Sequence, residues 1–277
     1  MLSTSARILD ARHLDAARPE RPAHSSLEAV SEGKHYLDVL GELHAKFVPS
    51  GYLEIGVQHG HSIVLARCPA VGVDPAPNLI FPLPNTTRIV EMTSDAFFAA
   101  EPNGPGLSVD FAFIDGMHAF EYALRDFMNV EKVSNASTIV VVDDIFPNNE
   151  VQARRKRETR SWTGDVYRLV RCLREKRPDL VLIEIDTKPT GLLLIGGLNK
   201  KSKKLRENYD RLVDRYLISE GGDATPPGPG VLGRVGSISP DDERVFNFVE
   251  TMKAARASSA SVKDTRRMLA PYRSPPI

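Results

Sequence analysis

The sequence predicts an α/β protein in which a mostly parallel sheet lies between two layers of helices. Two observations lead to this prediction. Short, continuous apolar runs recur over residues 52–142 with helix-like stretches among them, and such runs are typical of strands that helices cover on both faces. Acidic residues and glycines directly follow several of these runs, at the end of the strands where open parallel sheets bind ligands.

The elements follow in a regular order along the chain. A helical pattern over residues 27–47 ends before Pro49. The predicted parallel strands are Tyr52–Val57, Ala70–Val73, Thr87–Glu91, Val109–Ile114 and Thr138–Val142. Apolar residues at helical spacing predict the helices Phe120–Lys132 and Gly164–Lys176. Two last strand-like runs, Leu180–Ile185 and Leu192–Ile195, enclose turn residues and predict an antiparallel hairpin at one edge of a seven-strand sheet.

Two of the connections between strands are predicted to be reduced. Only about ten residues separate Gly60 from the second strand, so a helix between them has to be short. The segment after Asp74 contains Pro75, Pro77, Pro82 and Pro84. Because proline interrupts helices, we expect a loop before the third strand.

The chain divides into three parts by composition. The residues beyond 198 are more charged, with a predicted helix over 200–217, a Gly/Pro-rich linker over 221–230 and a second helix over Asp241–Ala254. We therefore expect an N-terminal arm over 1–26, one α/β domain over 27–198, and a C-terminal helical extension and tail over 199–277.

Composition excludes several classes of protein. The 36 basic and 36 acidic residues give a formal net charge of zero, so no global field attracts the molecule to nucleic acid or to an anionic membrane. There is no apolar run of membrane-spanning length and no secretory signal after Met1. The two cysteines, Cys68 and Cys172, are too few for a disulfide framework. These features predict a soluble, cytoplasmic protein without a nucleic-acid partner.

A glycine-rich turn follows the first strand. Gly56 and Gly60 let the backbone pass close to a ligand, and Glu54 adds a carboxylate. Val57 occupies the second glycine position of the dinucleotide fingerprint, which disfavours a pyrophosphate ligand. The carboxylate is better matched to a cationic amino group, such as that of S-adenosylmethionine. A purely structural turn is the alternative.

Acidic residues also follow the second and third strands. Asp74 comes about twenty residues after the glycine turn, the distance typical of an acid that binds ribose hydroxyls. Ser94 and Asp95 follow the third strand, where their side chains can reach an adenine edge. For Asp95, capping of the following helix explains the sequence equally well.

The strongest signal is a group of carboxylates at the ends of the fourth and fifth strands. Asp115 ends one strand, and Asp143 and Asp144 end the next. Three carboxylates that meet at one sheet edge repel one another unless a cation neutralises them, and oxygen ligands suit Mg²⁺, Ca²⁺ or Mn²⁺. His118 can remove a proton from a hydroxyl group there. Loop capping and a packed histidine are the alternatives.

The order of these motifs resembles that of the class I S-adenosylmethionine-dependent methyltransferases. The motifs are Glu54–Val57, Gly72–Asp74, Ser94–Asp95, Phe113–His118, Val142–Asp144 and Trp162–Val166. Within this class, the chain is most similar to the bacterial metal-dependent O-methyltransferases of the macrocin and novobiocin sugar-modifying type. The resemblance spans about residues 30–198 and implies a Rossmann-like sheet of seven strands that ends in an antiparallel pair.

The resemblance also implies roles for individual residues. The implied cofactor-binding residues are Glu54, Gly56 and Gly60 for the methionine part of S-adenosylmethionine, Asp74 for the ribose, and Ser94 and Asp95 for the adenine. The implied metal ligands are Asp115, Asp143 and Asp144, with Mg²⁺ as the expected ion. His118 is the implied catalytic base.

Two further residues are candidates for acceptor binding, next to a basic run over residues 154–160. Trp162 can form a pocket wall against a sugar or aromatic ring, or be buried in the core. Asp165 can contact the acceptor or cap the helix that follows. The basic run is expected to be a solvated loop or a lid that attracts an acidic substrate.

Taken together, these features predict methyl transfer from S-adenosylmethionine to a hydroxyl of a sugar or phenol, on a small molecule or a glycan. Two alternatives stay open from the residues alone. One is a non-catalytic binding or scaffold protein with the same fold, and the other is a nicotinamide-dependent oxidoreductase. The N-terminal arm and the C-terminal helices are long enough to cover a second subunit, so a homo-oligomer is compatible with the sequence.

Overall fold

The fold is a seven-strand sheet with helices on both faces. The structure is a computed structural model and describes residues 33–273. The strands are β1 Tyr52–Ile55, β2 Ala70–Asp74, β3 Thr87–Glu91, β4 Val109–Ile114, β5 Ser134–Val142, β6 Val181–Ile185 and β7 Leu192–Gly196. The helices are α1 Tyr36–Phe47, α2 Ser94–Ala100, α3 Phe120–Val133, α4 Tyr167–Lys176, α5 Tyr209–Val213, α6 Pro229–Leu232, α7 Glu243–Ala257 and α8 Val262–Met268.

The sheet has the order β3-β2-β1-β4-β5-β7-β6. Strands β1 to β5 pair in parallel, and β7 pairs antiparallel with both β5 and β6. The predicted α/β class and seven strands with an antiparallel end are therefore confirmed. The strand order reverses at β1, with β2 and β3 on one side of it and β4 and β5 on the other. The carboxyl ends of β1 and β4 therefore flank the place where open sheets bind ligands.

Each face of the sheet has its own apolar core. On one face, α2, α3 and α4 pack together with the segment around Leu212 and Tyr216. On the other face, α1 and α7 contribute Leu40 and Phe248, among others, to the core. No helix of the described chain follows β2, and only a short 3₁₀ turn, Ile63–Leu65, follows β1. The predicted short first crossover helix and the predicted loop in place of the second are confirmed, and α1 and α7 cover this face of the sheet.

The helices differ from the prediction at some of their ends. Residues 27–32 of the first predicted helix lie outside the described residues, and α1 begins only at Tyr36. The predicted helix over 200–217 forms only from Arg206 onwards, as a 3₁₀ turn, α5 and a π turn. A run of lysines precedes it, and like charges three or four residues apart oppose helix formation. Gly164 has φ +54°, so α4 starts after it, at Tyr167.

Two observations concern the C-terminal part and the surface. Helix α8 was not predicted, although the side chain of Ser261 caps it at Asp264 in a manner that the sequence signals. Among residues 33–273, no helix combines the length and the apolar character that crossing a membrane requires.

Candidate functional site

The acidic residues meet at the carboxyl edge of the sheet because β4 and β5 are neighbours in register. Ile114 lies opposite Val142, so Asp115 and Asp143 leave the two strands at the same level. The backbone N–H of Asp143 still donates to the carbonyl of Ile114, at 3.1 Å. The sheet register therefore brings together the two motifs that the sequence placed far apart.

Asp115, His118 and Asp144 form a compact group at this edge. One potential ligand atom from each lies within 4.8 Å of the others. His118 Nδ1 is 2.9 Å from Asp144 Oδ2, and His118 Nε2 is 3.5 Å from Asp115 Oδ1. Side chains of these types at these separations could hold a metal ion.

Asp143 is next to this group but turns its carboxyl elsewhere. Its Oδ1 accepts hydrogen bonds from the backbone N–H of Asp144, at 2.7 Å, and from the hydroxyl of Thr190, at 3.2 Å. The first bond accompanies a left-handed backbone at Asp144, with φ +65°, a conformation in which aspartate is tolerated. Asp143 thus orients Asp144, which points into the group.

Trp162 contacts the ring of His118 with both its side chain and its backbone. The imidazole and indole are stacked, with ring centroids 4.9 Å apart and planes 9° from parallel. The carbonyl of Trp162 accepts a hydrogen bond from His118 Nδ1, and the indole N–H donates to the carbonyl of Arg154, at 2.6 Å. The segment that contains Trp162 therefore lies across the acidic edge.

The charges of this site are strongly coupled. Burial raises the pKa of Asp115 and Asp143, and repulsion from Asp144 adds to the rise in both. Burial alone would lower the pKa of His118, but Asp144 and Asp115 together raise it well above its ordinary value. Negative charge is thus in excess here, which favours a cation in addition to the imidazolium.

Tyr36 also reaches this site, and the sequence analysis did not identify it. Its ring stacks on Phe113 of β4, with centroids 6.4 Å apart, and its backbone N–H donates to the carbonyl of Lys188. Burial and the carboxylates of Asp115 and Asp143 raise the pKa of its phenol well above the ordinary value. The contact depends on how α1 docks on the sheet, for which no local sequence signal exists.

Glu54 lies beneath the glycine turn and is completely buried. Its carboxyl accepts hydrogen bonds from the hydroxyls of Tyr52, at 2.6 Å, and Ser62, at 2.7 Å. Burial raises the pKa of Glu54 to about 8. In this structure, Glu54 therefore supports the turn from below through these two hydroxyls.

The two glycines are required by the backbone of the turn. Gly56 has φ +87°, and a Cβ there would lie 1.9 Å from the carbonyl oxygen of Asp115. The turn after β1 is thus pressed against the end of β4. Gly60 has φ +80° and donates its N–H to the carbonyl of Val57, at 2.8 Å.

Asp74 faces the same turn from the end of β2. Its carboxyl accepts hydrogen bonds from the backbone N–H groups of Val57, at 2.9 Å, Gln58, at 2.8 Å, and Ala76, at 2.8 Å. The proline-rich segment that follows covers the turn. A Cβ added to Gly60 would lie 3.0 Å from Cδ2 of Leu79 in this segment. Asp74 therefore links the glycine turn to this covering segment.

Ser94 and Asp95 lie in the first turn of α2, which the side chain of Thr93 caps. Asp95 is turned towards α3 and pairs with Arg125, whose Nε and Nη2 lie 3.0 and 2.9 Å from its carboxyl oxygens. Asp126, the next residue on α3, is buried, and its Oδ1 has no hydrogen-bond partner among residues 33–273. Sequence reasoning did not single out Asp126, since an acid in a helix is ordinarily exposed.

A family model supplies the observation that decides the class of the domain. Residues 53–145 match the model described as "Methyltransferase domain", and they form β1 to β5 with α2 and α3. Residues 53–145 therefore form a methyltransferase domain. No curated protein matches the sequence.

Solved structures with a similar layout include one cofactor-bound protein and two O-methyltransferases. Cofactor-bound Rv0187 from MTB has 16% identity and a TM-score of 0.46, over 63% of this chain and 83% of that one. The O-methyltransferase from Bacillus cereus in complex with SAH has 18% identity and a TM-score of 0.42, over 63% and 83%. TomG from Streptomyces achromogenes, in complex with SAM, has 16% identity and a TM-score of 0.41, over 58% and 78%.

The matched region contains the glycine turn and all of the acidic motifs, but not the residues that cover them. Tyr36 comes from α1 before the matched region, and Trp162 and Asp165 come after it. Asp165 accepts a hydrogen bond from the backbone N–H of Phe120, at 2.7 Å, so it caps α3 of the methyltransferase domain. Its other oxygen pairs with Arg155, at 2.9 Å, which ties part of the basic run to the domain.

Proposed function

We propose that this domain transfers the methyl group of S-adenosylmethionine to a hydroxyl oxygen of a sugar or phenol, on a small molecule or a glycan, with the help of a divalent cation. The observation that carries the proposal is the position of Asp115. It belongs to the acidic group with His118 and Asp144, and its backbone carbonyl is in contact with the glycine turn at Gly56. One edge of the sheet thus offers a cofactor turn and a cation site side by side.

The cation is proposed to be held by Asp115 and Asp144, with Asp143 behind them. The donors fit a divalent ion, since they are carboxylates that repel one another: burial and the charge of Asp144 raise the pKa of Asp115 and of the neighbouring Asp143. Mg²⁺ is the expected ion because the carboxylates supply oxygen ligands. When bound, the ion would lower the pKa of an acceptor hydroxyl that it coordinates.

His118 is proposed to take the proton of the acceptor hydroxyl. Its Nδ1 lies next to both the carbonyl of Trp162 and Asp144, and its Nε2 faces Asp115 and is the nitrogen proposed to take the proton. A base is useful only in its neutral form. A cation beside Asp115 and Asp144 would offset the two charges that keep the imidazole protonated, so cation binding prepares the base.

The cofactor is proposed to lie along the ends of β1, β2 and β4. Gly56 and Gly60, supported by Glu54, are the proposed contacts of its methionine part. Asp74 is proposed to bind the ribose hydroxyls, because a carboxylate has about four lone-pair positions and this one accepts three backbone hydrogen bonds. Ser94 and Asp95 are proposed to lie at the adenine.

The acceptor is proposed to enter beside Trp162. Its indole lies over the base and comes from the segment across the acidic edge, so it can serve as an apolar wall for a sugar or phenol ring. Asp165 is proposed to shape this side of the pocket from its position between Phe120 and Arg155.

The organisation of the whole chain follows from this proposal. We retain the division into an arm over 1–26, a methyltransferase domain over 27–198 and a C-terminal extension over 199–277. Helix α7 of the extension packs on α1 and β5. A cytoplasmic location and a homo-oligomer remain part of the proposal.

Calorimetric titration tests the cofactor part of the proposal. S-adenosylmethionine and S-adenosylhomocysteine are each titrated into the full chain with and without Mg²⁺, and NAD serves as the control. The proposal predicts micromolar binding of the two sulfur ligands and none of NAD. Binding of NAD alone would support the oxidoreductase alternative, and binding of no ligand by folded protein would support the scaffold alternative.

A further inference from the structure

Asp126 is a buried acid with an unused hydrogen-bonding position. It lies in the second turn of α3 and is 2% exposed. Its Oδ1 is buried and accepts no hydrogen bond from any described residue. Buried polar atoms in folded proteins nearly always have a partner, so an exception calls for an explanation such as a ligand.

The surroundings of Asp126 place it between two loops of the proposed cofactor site. The side chain of Ser94, in the first turn of α2, forms a hydrogen bond with its carboxyl. On the other side, Oδ2 lies close to Gly116, the residue after Asp115: a Cβ added to this glycine would be 3.5 Å from Oδ2. Asp126 thus lies where the loop after β3 and the loop after β4 come together.

Asp95 is less suited to recognise a base at this place. It forms a two-nitrogen salt bridge with Arg125, and its side chain is 46% exposed. Arg125 is fixed in turn by the ring of Tyr122, 4.3 Å from its guanidinium carbon, and by the hydroxyl of Tyr209. The carboxyl of Asp95 therefore already has strong donors, whereas that of Asp126 lacks one.

We propose that Asp126 recognises the adenine ring of S-adenosylmethionine by accepting a hydrogen bond from its exocyclic amino group. The inference rests on the proposed function and replaces Asp95 by Asp126 as the acid at the adenine edge. The amino group supplies the donor that Oδ1 lacks. Gly116, which lies next to Oδ2, has no side chain that competes for the carboxyl.

The test uses cofactor products and needs no methyl acceptor. S-adenosylhomocysteine is compared by calorimetry with S-inosylhomocysteine, in which a carbonyl oxygen replaces the amino group. An acceptor on the protein attracts the first and repels the second, because two acceptors then face each other. We expect the wild-type chain to bind the adenine compound at least tenfold more tightly, and Asp126→Asn to reduce this ratio to about one or to reverse it.

Asp210→Asn is the matched control, since it makes the same chemical change at an exposed aspartate in the first turn of α5. It is expected to keep the wild-type ratio. Asp126→Ala, which removes the carboxyl without adding volume, is the second variant in case Asp126→Asn does not fold, and the same loss of discrimination is expected. Circular dichroism checks the fold of each variant.

The possible results separate the inference from the proposed function. Wild-type chain that binds S-adenosylhomocysteine but does not discriminate against the inosine compound overturns the role of Asp126 alone. Discrimination retained by a folded Asp126 variant, or lost equally in Asp210→Asn, has the same consequence. Failure of the wild type to bind S-adenosylhomocysteine overturns the proposed function together with the inference.

Discussion

The imidazole of His118 lies flat on the indole of Trp162, with 4.9 Å between the ring centroids. Trp162 is the only tryptophan of the chain. Its fluorescence therefore reports directly on the residue proposed as the base. The same residue fixes His118 through its backbone carbonyl, so the ring cannot turn while the covering segment is in place.

The first prediction concerns the protonation of His118. An imidazolium quenches a stacked indole more strongly than a neutral imidazole does, and the pKa of His118 is raised well above 6.5. Tryptophan fluorescence of the metal-free chain should therefore increase with pH, with a midpoint well above 6.5. A fluorescence titration measures this, and His118→Asn should remove the transition.

Metal binding should shift the pH midpoint of the tryptophan fluorescence. A divalent cation at Asp115 and Asp144 weakens their attraction for a proton on His118, so its pKa falls. Addition of Mg²⁺ or Mn²⁺ is predicted to shift the fluorescence midpoint to lower pH, and EDTA should restore it. Asp144→Asn supplies the control, because its midpoint should be lower from the start and nearly insensitive to the metal. An unchanged wild-type midpoint at saturating metal would contradict a cation at this place.

The second prediction concerns the glycine turn. Gly56→Ala places a methyl group 1.9 Å from the carbonyl of Asp115 in a left-handed backbone, so the turn has to move away from β4. Gly106→Ala is the matched control, since Gly106 also has positive φ, +76°, but no atom within 4 Å. We expect Gly106→Ala to cost about 1 kcal/mol of unfolding free energy, and Gly56→Ala to cost several times more. Urea denaturation followed by circular dichroism measures both, and equal losses would contradict the close packing of the turn.

The third prediction concerns Glu54 and pH. The folded pKa of this carboxyl, about 8, lies above its ordinary value of 4.5. Between these values the folded state holds a proton that the unfolded state has lost, so the stability contributed by Glu54 is present at low pH and lost as pH rises towards 8. Glu54→Gln keeps the shape without the titration. The difference in unfolding free energy between variant and wild type should therefore shift in favour of the variant between pH 5 and 8.

The test compares how steeply the unfolding free energy changes with pH in wild type and in Glu54→Gln. One titrating proton contributes about 1.4 kcal/mol per pH unit at most. Measurements of the free energy of unfolding in urea at several pH values give this slope for both proteins. Glu42→Gln is a suitable control, because Glu42 is an exposed partner of Lys34. Parallel curves for wild type and Glu54→Gln would mean that Glu54 is ionised in the folded protein.

The fourth prediction concerns a buried ion pair below the sheet. The guanidinium of Arg177 is completely buried and binds both oxygens of Glu131, each at 2.7 Å. Glu131→Gln leaves a buried charge with one partner fewer, which typically costs about 3–5 kcal/mol. Lys204→Met removes an exposed member of the same network, 3.2 Å from Asp179, and should cost less than about 1 kcal/mol. Thermal and urea denaturation compare the two variants.

Much of the fold could be predicted because parallel strands leave a simple signal. The run Val109–Ile114 is apolar on both faces, apart from Asp110, and is a strand in the structure with the same bounds. Acidic residues that directly follow parallel strands lie at the same edge of the sheet. The proximity of Asp115 and Asp144 could therefore be predicted from the sequence. The helix ends were less predictable. The left-handed backbone of Gly164 and the repulsion among the lysines before Arg206 both delay the start of a helix.

The parts of the site that could not be predicted depend on docking between distant segments. Tyr36 reaches the acidic edge because α1 packs on β4, and Trp162 reaches His118 because a long loop crosses the edge. Neither contact has a periodic or motif signal. Asp126 looks like an ordinary polar helix residue in sequence, and only the packing of α3 against α2 and the loop after β4 buries it.

The central claim is that the cofactor turn and the acidic group form one reaction site. It is tested most directly by the effect of Mn²⁺ on the NMR relaxation of S-adenosylmethionine that carries a ¹³C-labelled methyl group. If the claim is correct, Mn²⁺ bound at Asp115 and Asp144 will strongly accelerate relaxation of the bound methyl carbon, and Asp144→Asn will abolish the effect. Relaxation of the bound methyl group that does not change at saturating Mn²⁺ would contradict the claim.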